Sequence, residues 1–189
     1  MHKQRSWGDC GITSLLNAVS DNGVTYFNGP GGYERMLELM NGRDKGLTIQ
    51  EISGALFFLG FCPIYLPLEG FKSESGVTGA YTHDSVSLRL QSPTMNGLPA
   101  IYQVKTKSGL LHFIYFDGSF IWDSSPNSPE CPGFNDYQSI VDVVYILPAN
   151  KPLLSPASYF NRRLTAIRNT LYIRKIFLIR KFKSWVSSL

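Results

Sequence analysis

The chain has 189 residues, of which 43% are hydrophobic, and a formal net charge of +4. This length and apolar content predict one ordinary domain with its own core, and they exclude a chain that needs disulfide staples in order to fold. The charge is segregated, because nine of the 18 Lys and Arg follow residue 150 without any Asp or Glu, which leaves the first 150 residues with nine basic against 14 acidic side chains.

Three helices are predicted in the first 60 residues. The first spans 10–19, with Asp9 as its candidate N-cap and an Asp-Asn-Gly stop at 21–23. A second, short helix is predicted over 33–40. Thr48 and Glu51 have the spacing of a capping box, which predicts a third helix that runs to about Leu59.

The second half of the chain has the composition of strands. Runs dense in β-branched and aromatic residues predict strands at 61–66, 100–104, 110–116, 120–122 and 140–146. Lys107-Ser108-Gly109 and Asp117-Gly118 are hairpin turn signals. Helices followed by an antiparallel sheet predict an α+β fold for 1–147.

Three other segments are distinguished by composition. Residues 70–98 are rich in Ser, Gly and Thr and predict a loop-heavy excursion. Pro148, Pro152 and Pro156 indicate a linker over 148–157. Residues 158–189 predict a basic helical tail whose apolar face is interrupted by charge.

The cysteines, Cys10, Cys62 and Cys131, are odd in number and lack CxxC spacing, so neither a disulfide framework nor a zinc site is expected. We interpret Cys62 and Cys131 as inert, buried small hydrophobes. No apolar signal segment opens the chain, and no apolar run approaches the ~18 residues of a membrane span. These features predict a cytoplasmic or virion-associated protein without a metal or other cofactor.

Cys10 stands where an activated thiol is expected. A free thiol has a pKa of about 8.5 and supplies little of the nucleophilic thiolate at neutral pH. A helix N-terminus and a neighbouring imidazolium both favour the thiolate. Cys10 lies at the predicted start of the first helix, and Gly11 leaves room for a substrate backbone. We therefore interpret Cys10 as a nucleophile.

His112 is the preferred candidate for the base. His2 is terminal and His83 lies in the irregular excursion, whereas His112 lies within an apolar strand that would hold it rigidly. A hairpin about Asp117-Gly118 would bring Asp123 near the level of His112, where its carboxylate could orient the imidazole.

An oxyanion formed at Cys10 would need hydrogen-bond donors. The backbone N–H of Cys10 is one candidate. The side-chain amide of Gln4 is the other, if it folds back across the turn at Ser6-Trp7-Gly8.

Together these residues resemble the C39 group of papain-like cysteine peptidases, the bacteriocin-processing type. The resemblance covers roughly 1–147. It implies a papain-like fold, with Gln4 in the oxyanion hole, Cys10 as nucleophile, His112 as base and Asp123 as orienting acid. The family pattern has a proline directly after the aspartate, whereas Ser124-Ser125-Pro126 follows here.

Several alternatives stay open. His112 could be a satisfied core histidine, Asp123 a turn residue and Gln4 a mobile terminal residue. The chain is expected to cleave a peptide or isopeptide bond in a peptide or protein substrate. Alternatively it is a catalytically silent component of a larger assembly, such as a phage particle. The tail over 158–189 is expected to bind a protein partner, with nucleic acid or an anionic membrane surface less favoured.

Overall fold

A computed structural model describes residues 1–68, 71, 74 and 97–148. The linker beyond 148, the tail over 158–189 and most of the predicted excursion lie outside the described residues. The described part contains three α-helices, two short 3-10 helices and five strands: α1 (Cys10–Asp21), α2 (Gly32–Leu39), α3 (Ile49–Phe58), the 3-10 turns Thr25–Phe27 and Phe134–Asp136, β1 (Phe61–Pro67), β2 (Ala100–Lys105), β3 (Leu111–Phe116), β4 (Ile121–Asp123) and β5 (Ser139–Pro148).

The helices begin close to their predicted positions, but not always for the predicted reason. At α3 the capping box is formed, because the Glu51 N–H donates to the Thr48 hydroxyl and the Thr48 N–H donates to the Glu51 carboxylate. At α1, Asp9 occupies the N-cap position without capping through its side chain. Its carboxylate instead accepts hydrogen bonds from the Arg5 N–H at 2.9 Å and the Tyr33 hydroxyl at 3.0 Å.

The five strands form one sheet in the order β1-β5-β2-β3-β4, with every neighbouring pair antiparallel. Both predicted hairpin turns are formed. Gly109 has a positive φ of 86° in the β2–β3 turn, where the Thr106 N–H donates to the Leu110 carbonyl. In the β3–β4 turn, the Asp117 carboxylate accepts from the backbone N–H groups of Ser119 and Phe120. The prediction of helices followed by an antiparallel sheet is confirmed.

Apolar side chains fill both faces of the sheet. The three helices pack on one face, where α1 buries every residue from Gly11 to Val19. That face presents Ile101, Phe113, Tyr115, Val144 and Ile146 to the helices. The opposite face carries a second buried cluster centred on Tyr102, Ile114, Phe116, Val143 and Tyr145. This packing places α1 directly against β3, and the candidate site lies where these two elements meet.

Two cysteines lie where the sequence did not predict them. Cys62 and Cys131 are free thiols, but both are exposed, so their prediction as buried hydrophobes was wrong. Cys62 is exposed because β1 is an edge strand and its side chain alternates outward after the buried Phe61. None of the helices in the described part of the chain has the length and apolar character that crossing a bilayer would require.

Candidate active site

The Cys10 thiol lies at the first residue of α1, half-buried at the end of the helix where backbone N–H groups are unpaired. Its neighbour Gly11 is buried and faces Leu47 and Phe113. A Cβ added there would lie 3.0 Å from the Leu47 Cβ and 3.4 Å from a ring carbon of Phe113. The Ser14 hydroxyl also donates to the Phe113 carbonyl at 2.9 Å. These contacts seat the start of α1 beside the start of β3.

His112, the second residue of β3, is buried between two partners. Its Nε2 lies 2.7 Å from the Asp123 Oδ1. The Cys10 side chain is close enough to the ring to contribute to the rise in the His112 pKa. Because Asp123 occupies Nε2, Nδ1 is the ring nitrogen left to face the thiol. The imidazole therefore connects a thiol on one side to a carboxylate on the other.

This environment changes the proton affinity of the site. Burial lowers the pKa of His112, but the hydrogen bonds with Asp123 and with Cys10 outweigh burial and raise the pKa to about 9. Burial raises the pKa of Asp123, yet the hydrogen bond with His112 and the attraction to its charge leave that pKa below its ordinary value. Both effects favour an imidazolium beside an ionised carboxylate at neutral pH.

Both oxygens of the Asp123 carboxylate are hydrogen-bonded. Asp123 lies at the end of β4, opposite Ile114 in the β3–β4 ladder, which is two residues along β3 from His112. The Ser125 N–H donates to Oδ1 at 2.7 Å, and the Tyr137 hydroxyl donates to Oδ2 at 2.8 Å. Sequence reasoning missed Tyr137, because no spacing or motif connects it with Asp123 before the chain folds.

Gln4 is fixed against the same segment. Its backbone N–H donates to the Ser124 carbonyl at 2.9 Å, and its side-chain Oε1 accepts from the Ser124 hydroxyl at 3.2 Å. The preceding Lys3 ammonium donates to the Asp123 and Ser125 carbonyls, at 3.0 and 3.1 Å. The next residue, Arg5, donates its N–H to the Asp9 carboxylate. Gln4 therefore lies between Lys3, which is bound to the end of β4, and Arg5, which is bound to the residue before Cys10.

The structure thus joins the predicted residues in one network. Cys10, His112 and Asp123 are connected in series, and Gln4 reaches that series through Ser124. Asp117 belongs to the hairpin turn and accepts a hydrogen bond from the Trp122 indole, while His83 lies outside the described residues. Within the described ranges, no three His, Cys, Asp or Glu side chains are grouped so that they could hold a metal ion.

The chemistry open to this arrangement is nucleophilic attack by sulfur. A thiol paired with an imidazole that a carboxylate orients has the arrangement of an activated nucleophile. The unpaired N–H groups at the start of α1 point toward an anion formed there. The structure therefore brings a thiol, an imidazole and unpaired backbone N–H groups together at the start of α1.

Comparisons with known proteins found a likeness among solved structures. No family model matches the chain, and no curated protein matches it. Among solved structures, the chain is similar to the peptidase domain of Streptococcus ComA, a bifunctional ABC transporter involved in a quorum-sensing pathway. The alignment covers 78% of this chain and 96% of that one, with 16% sequence identity and a TM-score of 0.48.

Proposed function

We propose that this chain is a papain-like cysteine peptidase of the C39-like type, which hydrolyses a peptide or isopeptide bond through Cys10, His112 and Asp123. The observation that carries the proposal is the buried His112 imidazole, which is hydrogen-bonded to the Asp123 carboxylate at 2.7 Å and adjoins the Cys10 side chain, and whose pKa is raised to about 9. An imidazolium at this place stabilises a neighbouring thiolate by charge. No other part of the described chain offers such an arrangement.

In the first half of the reaction, the Cys10 sulfur attacks the carbonyl carbon of the scissile bond. The negative charge that develops on the carbonyl oxygen is stabilised by the Cys10 N–H and the Gln4 side-chain amide. When the carbon–nitrogen bond breaks, His112 gives its proton to the leaving amine, and a thioester remains on Cys10.

In the second half, a water molecule attacks the thioester. His112, now neutral, takes a proton from this water, and the carbon–sulfur bond breaks to release the carboxylic acid. Asp123 keeps the imidazole in the orientation that both transfers require, since Ser125 and Tyr137 prevent its carboxylate from turning.

A peptide library tests this proposal without knowledge of the natural substrate. The full chain is incubated with a diverse peptide mixture, and new amino termini are identified by mass spectrometry. We expect cleavage by the wild type and by Cys62→Ala, a matched control because Cys62 is a free thiol away from the site. Cys10→Ala is expected to produce no new termini.

If the wild type produces no more termini than Cys10→Ala, across mixtures that include isopeptide-linked substrates, the peptidase proposal is wrong. The chain would then be better described as a catalytically silent component that keeps this arrangement of side chains.

A further inference from the structure

We propose that Ser124 is a positioning residue that orients the Gln4 amide toward the oxyanion formed at Cys10. This inference rests on the proposed function and adds to it the residue that prepares the oxyanion hole. Ser124 follows Asp123 directly and is fully buried.

Two hydrogen bonds join Ser124 to Gln4. The Ser124 carbonyl accepts from the Gln4 backbone N–H at 2.9 Å, which fixes the position of the main chain. The Ser124 hydroxyl donates to Oε1 at 3.2 Å, which fixes the rotation of the side-chain amide. Because a hydroxyl donor holds Oε1, the Nε2 group is turned away from Ser124, and it finds no acceptor within the described part of the chain.

An amide nitrogen held in this way is a ready hydrogen-bond donor. Oxyanion-hole donors are effective because they are already oriented and need no rearrangement during the reaction. Without the Ser124 hydroxyl, the Gln4 amide could rotate about its terminal torsion, which has no steep preference of its own. The donor would then spend only part of its time aimed at the oxyanion.

The three-residue segment 123–125 therefore serves two parts of the site. Asp123 orients His112, the Ser125 N–H supports Asp123, and Ser124 supports Gln4. A proline after the aspartate would retain the carbonyl acceptor but not the hydroxyl. Ser124 thus departs from the Asp-Pro pattern, and its hydroxyl gives the Gln4 side-chain amide a hydrogen bond that a proline could not supply.

Two chemical probes separate the oxyanion hole from the thiol itself. With p-nitrophenyl acetate, the Cys10 thiolate attacks the ester carbonyl, the acetyl group is transferred to sulfur, and p-nitrophenolate leaves with the electron pair of the broken carbon–oxygen bond. This reaction passes through an oxyanion. With iodoacetamide, the thiolate displaces iodide from a methylene carbon, and no oxyanion forms at the attacked carbon.

We expect Ser124→Ala to slow acetylation of Cys10 roughly tenfold, a part of the ~10²–10³-fold loss that follows removal of an oxyanion-hole donor. Alkylation of Cys10 by iodoacetamide should keep the wild-type rate, which also shows that the site has folded. Ser124→Gly removes the same hydroxyl and should show the same split. Ser124→Thr keeps a hydroxyl and should retain acetylation. Ser53→Ala, a serine on α3 whose hydroxyl donates to the Ile49 carbonyl, is the control.

A double-mutant cycle with Gln4→Ala identifies the route of the effect. If Ser124 acts through Gln4, then Ser124→Ala should have no further effect on acetylation in the Gln4→Ala background. All rates are corrected with Cys10→Ala, which reports acetylation of other groups.

Three outcomes would overturn the inference. Wild-type acetylation in both Ser124→Ala and Ser124→Gly would show that the hydroxyl is not needed, with the peptidase proposal intact. Additive losses in the cycle, or equal losses with both probes, would show that Ser124 acts by another route. Failure of wild-type Cys10 to be acetylated at all would overturn the peptidase proposal, and the role of Ser124 with it.

Discussion

His112 owes its properties to the two groups that it joins. Burial alone would lower the pKa of a histidine, because the charged form loses its hydration. Here the Asp123 carboxylate and the Cys10 side chain reverse that effect and raise the pKa to about 9. The consequence is a proton that stays on the imidazole through neutral pH, as the proposed mechanism requires.

An imidazolium paired with the Asp123 carboxylate should titrate at an unusually high pH. In an NMR titration of its ring protons, we expect a midpoint near pH 9 in the wild type. Asp123→Asn should lower the midpoint by about one pH unit or more, because the imidazolium loses an adjacent opposite charge. Cys10→Ser should lower it as well, since Cys10 is among the causes of the rise.

The signal is assigned by its loss in His112→Gln. A wild-type midpoint near the ordinary 6.5, unchanged by Asp123→Asn, would contradict the ion-pair description of the site.

The sequence singles out the proposed reacting groups more readily than the residues that support them. Cys10 and His112 were predicted because their residue types are rare in this chain and their local contexts are distinctive. Tyr137 and Ser124 were missed because their partners, Asp123 and Gln4, reach them only through folding. Asp9 was predicted as the N-cap of α1 and occupies that position, but its side chain makes no capping hydrogen bond, because its carboxylate accepts from Arg5 and Tyr33 instead.

Among the elements, α1 and β3 matter most, because each contributes one member of the thiol–imidazole pair. Their closeness depends on the absence of a side chain at Gly11, which faces Leu47 and Phe113. The hairpin between β3 and β4 then returns Asp123 to His112. Its turn was predictable, since Asp-Gly signals are local, and the placement of Asp123 followed from it.

Two helical glycines give opposite predictions for the same substitution. A Cβ at Gly32, the first residue of α2, would lie 1.9 Å from the Phe27 carbonyl oxygen, so Gly32→Ala should lower the free energy of unfolding by about 1–3 kcal/mol. Gly54 in α3 is exposed, and a Cβ there would have no neighbour within 4 Å. Gly54→Ala should therefore raise the free energy of unfolding by about 0.5–1 kcal/mol. Urea denaturation of the two variants measures both changes. Equal effects would show that the contact at Phe27 does not constrain α2.

For the molecule as a whole, the class of fold was predictable and the strand order was not. Local patterns identify helices and strands, whereas β1 pairs with β5 across more than 70 residues of chain. No local signal encodes such a pairing, because it depends on which apolar faces can be buried together. The exposure of Cys62 was missed for the same reason, since it follows from the position of β1 at the sheet edge.

The site also couples stability to pH. The pKa of His112 is raised on folding, so its stabilisation is fully present below about pH 6.5 and is lost as the pH rises through about 9. The pKa of Asp123 is lowered on folding, so its contribution is present above its ordinary value of 3.8 and is lost as the pH falls through the folded value. Stabilisation by the pair is therefore greatest between these limits.

The free energy of unfolding of the wild type and of His112→Gln, measured by urea denaturation from pH 5 to 10, tests this coupling. We expect the difference between the two to shrink as the pH rises from 6.5 past 9, by at most about 3 kcal/mol, since one pKa unit corresponds to about 1.36 kcal/mol. A difference that does not change with pH would show that the proton on His112 contributes nothing to stability.

The central claim of the proposed function is that His112 activates the Cys10 sulfur as a nucleophile. The most direct measurement is the rate of alkylation of each cysteine by iodoacetamide at pH 6, followed by mass spectrometry, where an ordinary thiol is almost entirely protonated. Cys62 and Cys131 are exposed free thiols and serve as internal references. We predict that Cys10 reacts at least about tenfold faster than either reference, and that His112→Ala removes the advantage. Reaction of Cys10 no faster than the references, with no effect of His112→Ala, would contradict the account.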